Sequence, residues 1–275
     1  MKTITSIILC VFFGSDLVAA EPGKAKGEAP AISAAVNPAA IPTPRQETWL
    51  AAHKKREARL QNGNVDVLLI GDSITAGWNK YPELIKEFFP DLQVVNLGHP
   101  ADKTENILWR LQNHSFDKIN PRVAVIMAGT NNSNEDEYSP EQIAGGVQAI
   151  VETLQRKLPE TRILLLGIFP RGSHEQRLEL TRGRTVATVN PQWEKIDVVN
   201  RMISALAVDR KVIYLDINRE FLNEKGELPV DVMPDLLHPN KRGYEIWGHS
   251  IQQALVGLEK PAGLTDSSSV GVKRP

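Results

Sequence analysis

The chain has 275 residues with 32 basic against 33 acidic side chains, a formal net charge of -1. That balance, with both signs interspersed, gives no electrostatic footprint for nucleic acid or an anionic membrane, and points to a small or neutral ligand. The one cysteine is Cys10; it falls in the segment read below as a cleaved signal, so disulfides, cysteine-liganded metals and a cysteine nucleophile are excluded from the mature chain.

Residues 1–20 read as an export signal: Lys2, the apolar stretch Ile4 to Phe13, and Val18-Ala19-Ala20 as a small-residue cleavage site. The apolar stretch is too short for a bilayer span, and no later segment approaches the roughly 20 apolar residues a span requires. The expected location is periplasmic or extracellular. Residues 21–44, rich in Ala, Pro and Gly without either structural period, read as a flexible tether, and residues 261–275 as a disordered tail. Residues 45–260 are long enough for one well-packed domain.

Within the domain, Arg45 to Leu60 reads as an entry helix. Five short Val-, Ile- and Leu-rich runs follow as strands: Val65–Ile70, Leu92–Leu97, Val123–Met127, Arg162–Gly167 and Val212–Leu215. Stretches of helical period separate or follow them at Tyr81–Phe89, Thr104–Gln112, Pro140–Leu158, Val186–Val208 and Lys241–Leu258. Strand alternating with helix predicts an α/β fold, a parallel sheet covered on both faces.

The chemistry-bearing residues fall where these strands end, the edge at which open α/β sheets bind ligands. Gly71-Asp72-Ser73-Ile74 follows the first strand and offers a serine hydroxyl. Gly98-His99-Pro100-Ala101-Asp102 follows the second and Gly129-Thr130-Asn131-Asn132 the third; Asp235-Leu236-Leu237-His238 precedes the last helix. A serine nucleophile needs a base, and the base needs an acid that orients it and holds the imidazolium charge. Three residues apart in a turn, the Asp235 carboxylate can reach the imidazole Nδ1 while Nε2 faces Ser73. Asn131 offers a side-chain amide to a developing oxyanion, and the backbone N–H of Ser73 and one from the second loop offer two more. His99 and His174 are expected as loop residues. The acidic, polar stretch from Ser133 to Tyr138 favours a short acyl group over a long one.

These four blocks, in this order, resemble those of the SGNH, or GDSL, hydrolases. Asn106-Ile107-Leu108-Trp109-Arg110-Leu111, Ala144-Gly145-Gly146-Val147-Gln148-Ala149-Ile150 and Pro170-Arg171-Gly172 are similar to the platelet-activating-factor acetylhydrolase catalytic-subunit group within them. The resemblance covers roughly Val65 to Val256. It implies a three-layer α/β/α, flavodoxin-like five-stranded parallel sheet and metal-independent ester hydrolysis without a cofactor. It also implies Ser73 as nucleophile, His238 as base, Asp235 as its orienter, and Asp72 as a structural hydrogen-bonder. The oxyanion donors would be Ser73 N–H, Asn131 Nδ2 and a second-loop N–H. Alignment on Asp102 puts Ala101 where the family has glycine, with Gly98 as the fallback donor; Pro100 has no N–H. The expected activity is removal of a short acyl group, most readily acetyl, from a carbohydrate or other polar molecule. A lysophospholipase or thioesterase with the same triad, and a non-catalytic glycan-binding module on the same fold, are the alternatives.

Overall fold

A computed structural model describes residues 36–134, 137–184, 191–208 and 211–256. The expected signal, most of the tether and the expected C-terminal tail lie outside them.

Five parallel strands form one sheet: β1 (Val67–Gly71), β2 (Val94–Asn96), β3 (Val123–Met127), β4 (Arg162–Leu166) and β5 (Val212–Leu215), in the order β2-β1-β3-β4-β5. Val67 stands opposite both Val94 and Val123, so β1 and its two neighbours start level. The helices are α1 (Glu47–Gln61), α2 (Ser73–Ala76), α3 (Pro82–Phe88), α4 (Thr104–Asn113), α5 (Pro140–Lys157), α6 (His174–Thr181), α7 (Pro191–Ser204) and α8 (Lys241–Val256).

Alternation along each strand assigns its residues to two cores. Leu68, Ile70, Ala124 and Ile126 pack with Ile107 and Leu111 of α4, Val147 and Ile150 of α5, and Ile196 and Val199 of α7. Val67, Leu69, Val125 and Met127 pack on the other face with Leu84 and Phe88 of α3 and Trp247 and Ile251 of α8. Burial on both faces is why the strand runs read as nearly continuous hydrophobics. Each such side chain withdrawn from water contributes about 1.5–3 kcal/mol. The flavodoxin-like, three-layer α/β arrangement expected from the sequence is the one found.

Several boundaries differ from the sequence reading. Residues 37–44, expected as the end of a tether, belong to the fold. Asn37 caps a short 3-10 turn at Pro38–Ala40, Ala39 is fully buried, and the Thr104 hydroxyl donates to the Ala39 carbonyl at 2.8 Å. The second strand is only three residues long, with Val94, Val95 and Asn96 in register with Val67, Leu68 and Leu69 of β1. Helix α7, described over Pro191–Ser204, ends at Ser204 rather than at the expected Val208; residues 186–190 lie outside the described ones. Helix α6 was not expected at all. It has no buried residue and therefore no hydrophobic period to read, but Ser173 and Gln176 form a capping box at its start.

The strand order reverses between β1 and β3, since the chain goes outward from β1 to β2 and then returns to the other side. In such sheets the crevice at the carboxyl ends of the strands flanking that reversal holds the ligand. Ser73 follows β1 and the Gly129–Asn132 loop follows β3, so both stand at this crevice.

Candidate active site

Strand β1 ends at Gly71, and the chain turns there at once into α2. A Cβ on Gly71 would stand 2.1 Å from Thr75 Oγ1 and 2.4 Å from the Met127 carbonyl, so only glycine lets the turn close against β3. Asp72 then caps α2: its Oδ1 accepts from Ile74 N–H at 2.9 Å. Capping turns Asp72 inward, where it is completely buried, and leaves Ser73 half-buried as the first helical residue.

Ser73 Oγ lies 2.9 Å from His238 Nε2, and His238 Nδ1 lies 2.8 Å from Asp235 Oδ2. Asp235 Oδ1 also accepts from the backbone N–H of Leu237 at 3.1 Å and of His238 at 2.7 Å, which folds the turn around its own carboxylate. Leu236, in this turn, takes a left-handed backbone with φ 54° while its side chain is fully buried. The residues expected from the sequence as nucleophile, base and orienter are therefore connected by hydrogen bonds, with the imidazole poised to take the Ser73 proton.

The electrostatics separate the two aspartates. Burial raises Asp235, but hydrogen bonds from His238 and the charges of His238 and Arg177 more than offset it and hold the carboxyl well below the usual carboxylate range. Burial pushes Asp72 up to about 6, against the Ile74 N–H, the Thr130 hydroxyl and the His238 charge, which pull it down. Asp72 is thus a buried structural cap, as expected, while Asp235 holds the imidazole.

The three oxyanion candidates fare differently. As the first residue of α2, Ser73 has an N–H outside the helical hydrogen-bond pattern, and no partner for it is found among the described residues. Asn131 Nδ2 donates to the Asp102 carbonyl at 2.8 Å and makes only a long 3.4 Å contact to Asp72 Oδ2. One of its two amide hydrogens is therefore weakly held and can turn to a new acceptor. Ala101 stands exposed with φ 60°, the left-handed conformation that glycine adopts more cheaply. The fallback, Gly98, does not serve: its N–H donates to Asn96 Oδ1 at 2.8 Å in the interior, and its carbonyl accepts from Arg56.

The supporting roles of the residues that hold these loops were not read from the sequence, although Asp102, Arg110, Asn132 and Arg171 stand in the blocks that carry the resemblance. Asp102 is fully buried and receives Trp49 Nε1–H at 2.7 Å and an ion pair from Arg110 Nε at 2.9 Å, which fixes the residue beside Ala101. The Gly129–Asn132 loop is tied to α4 by Asn132, which donates to Glu105 at 2.9 Å and accepts from Thr104 N–H at 2.9 Å. Arg171, nearly buried, donates to the Thr130 carbonyl at 2.9 Å. Arg177 of α6 grips Asp235. For Arg177 the available sign was the Ser173-x-x-Gln176 box of its helix. His99 packs edge-on against Trp49, and His174 opens α6; neither lines the cavity at Ser73.

That cavity, of about 550 Å³, is lined by Ser73 and His238 with Ala76, Lys80, Tyr81, Pro100, Pro234 and Asn240 among others. Its lining is more apolar than polar, with Ala76, Pro100, Pro234 and Pro239 beside the polar Lys80, Tyr81 and Asn240. Such a site can attack an ester carbonyl. Among the described residues no helix is long and apolar enough to cross a membrane.

Comparison with known proteins agrees with this geometry. The model of the GDSL-like lipase/acylhydrolase family matches residues 69–246. Platelet-activating factor acetylhydrolase IB subunit alpha1 of Homo sapiens is 32% identical over 214 residues, covering 76% of this chain and 85% of that protein. Subunit alpha2 of Rattus norvegicus is also 32% identical, covering 76% and 86%. A GDSL-like lipase from Bacteroides thetaiotaomicron has the same fold, with a TM-score of 0.60 at 21% identity over 75% of this chain and 98% of that one.

Proposed function

As a member of the GDSL-like lipase/acylhydrolase family, the chain is a carboxylic ester hydrolase, and we propose that it removes a short acyl group, acetyl foremost, from a small polar alcohol such as a carbohydrate. The observation that carries this reading is the continuous hydrogen-bonded series Ser73 Oγ, His238 Nε2, His238 Nδ1 and Asp235 Oδ2. Ser73 Oγ attacks the ester carbonyl as its proton passes to His238 Nε2. Asp235 stabilises the imidazolium and holds the tautomer. Ser73 N–H, Ala101 N–H and the weakly held Asn131 amide hydrogen receive the oxyanion. His238 then protonates the leaving alcohol, and the same imidazole activates a water that releases the acid and regenerates Ser73.

The preference for a short acyl group rests on relatives whose name is acetylhydrolase. Those relatives also favour a second reading of the alcohol half, a phospholipid, because platelet-activating factor is in their name. Lys80, Tyr81 and Asn240 among the lining residues support a polar alcohol. Wild-type and Ser73→Ala proteins assayed on p-nitrophenyl acetate, p-nitrophenyl octanoate, acetylated oligosaccharides and acetylated phospholipid test all parts at once. Acetate turned over far faster than octanoate, oligosaccharide over phospholipid, and nothing by Ser73→Ala is the expected pattern. Preference for octanoate overturns the acyl assignment, and preference for phospholipid overturns the alcohol. Export belongs to the same proposal, and a chain secreted with Glu21 as its first residue is the expected product.

A further inference from the structure

Two donors of one guanidinium converge on Asp235. Arg177 Nε donates to the Asp235 carbonyl at 2.9 Å, and Arg177 Nη2 donates at 3.1 Å to Oδ2, the oxygen that faces His238 Nδ1. Little else explains the seat of this arginine's helix. Helix α6 buries no residue, and among its side chains only Leu180 packs half-buried against the core. Its entry is instead docked on the Asp235–His238 turn: Gly172 N–H donates to the Leu236 carbonyl at 2.6 Å, and a Cβ on Gly172 would stand 2.8 Å from Leu236 Cβ. The segment from Gly172 to Arg177 thus packs directly on the turn.

We propose that Arg177 is a positioning residue of the hydrolytic relay, holding the Asp235 carboxylate at two points and sharing the oxygen that faces His238. The inference rests on the Ser73–His238–Asp235 reading above. The two-point hold keeps the carboxylate plane directed at the imidazole, where a small misplacement is costly. The shared oxygen also faces two cations once His238 takes the Ser73 proton, the guanidinium and the imidazolium, so Arg177 shares the charge of Asp235. Other charges near the pair are Arg171, which feels Asp235, Asp72, which feels His238, and Lys80 at the cavity wall. All three are left in place when Arg177 is changed.

The test is the pH dependence of kcat/KM on p-nitrophenyl acetate for wild type, Arg177→Gln and Arg177→Lys, each also treated with a fluorophosphonate to confirm labelling at Ser73. In Arg177→Gln the acid limb moves to higher pH by about half a unit, because Asp235 then favours the imidazolium undivided. Its kcat falls about tenfold. Arg177→Lys keeps the charge but not the fork, so its limb stays at the wild-type position while kcat falls. An Arg177→Gln protein that labels at Ser73 and keeps the wild-type limb overturns the proposal. If Arg177→Gln does not fold, Arg177→Lys decides: a displaced limb, or a wild-type kcat, overturns it. Wild-type protein that fails to label at Ser73 marks failure of the relay reading itself.

Discussion

Asp72 and Ser73 are neighbours in the chain with opposite surroundings: the carboxyl is completely buried and caps Ile74 N–H, while the hydroxyl reaches His238 Nε2 at 2.9 Å. The cap produces the exposure, since turning Asp72 inward is what presents the next side chain at the sheet edge.

This burial has a pH signature. Asp72 is raised to about 6 from an ordinary 3.8, so the folded protein binds its proton more tightly than the unfolded chain. Its contribution to stability is full below pH ~4 and is lost as pH rises through about 6. Asp235 has the opposite sign, its contribution falling away as acid protonates it, so comparison above pH ~4 isolates Asp72. Asp72→Asn keeps an oxygen for Ile74 N–H without the charge. Its stability relative to wild type rises by up to about 3 kcal/mol between pH 4 and 7. Urea unfolding at both values checks this; an equal difference at the two pH values contradicts it.

Asp235→Asn leaves the turn an acceptor for the Leu237 and His238 N–H groups but removes the charge that holds the imidazolium. A fall in kcat of about 10³–10⁴ follows, with little change in KM. Steady-state kinetics at pH 7 measure it, and a fall of less than tenfold removes Asp235 from the relay.

Asn131→Ala deletes the side-chain donor to the oxyanion. The expected loss is about 10²–10³ in kcat, with KM nearly unchanged, because the interaction forms in the transition state. Activity within twofold of wild type assigns the amide only to its bond with the Asp102 carbonyl.

At Ala101 the prediction concerns stability. A left-handed alanine is strained, with φ 60° here, and Ala101→Gly relieves that strain against a greater loss of chain entropy. A net gain of about 0.5 kcal/mol is expected, with esterase activity retained because the N–H remains. A loss of stability shows that the surrounding loop already accommodates the Cβ.

Much of the sheet was legible because both of its faces are buried, which made its strands continuous apolar runs. The motifs at their ends were legible because Gly71-Asp72-Ser73 and Asp235-Leu236-Leu237-His238 keep their chemistry within short local turns. What sequence could not supply was long-range support. Trp49 reaches Asp102 from 53 residues away and Arg177 reaches Asp235 from 58, both through side-chain bonds that leave no period. Residues 37–44 misled because their Ala and Pro content resembles a tether, whereas the buried contact of Ala39 with Thr104 is tertiary. Gly98 misled in another way: it is glycine because a Cβ would stand 2.4 Å from Ala76 N, and its own N–H is committed to Asn96.

The nucleophile is tested most directly by peptide mapping after fluorophosphonate treatment of the folded protein. One adduct per chain, located on Ser73, absent from Ser73→Ala and formed much more slowly in His238→Ala, is the predicted result. A folded wild-type protein that stays unlabelled, or carries its adduct on any other residue, contradicts the assignment of Ser73.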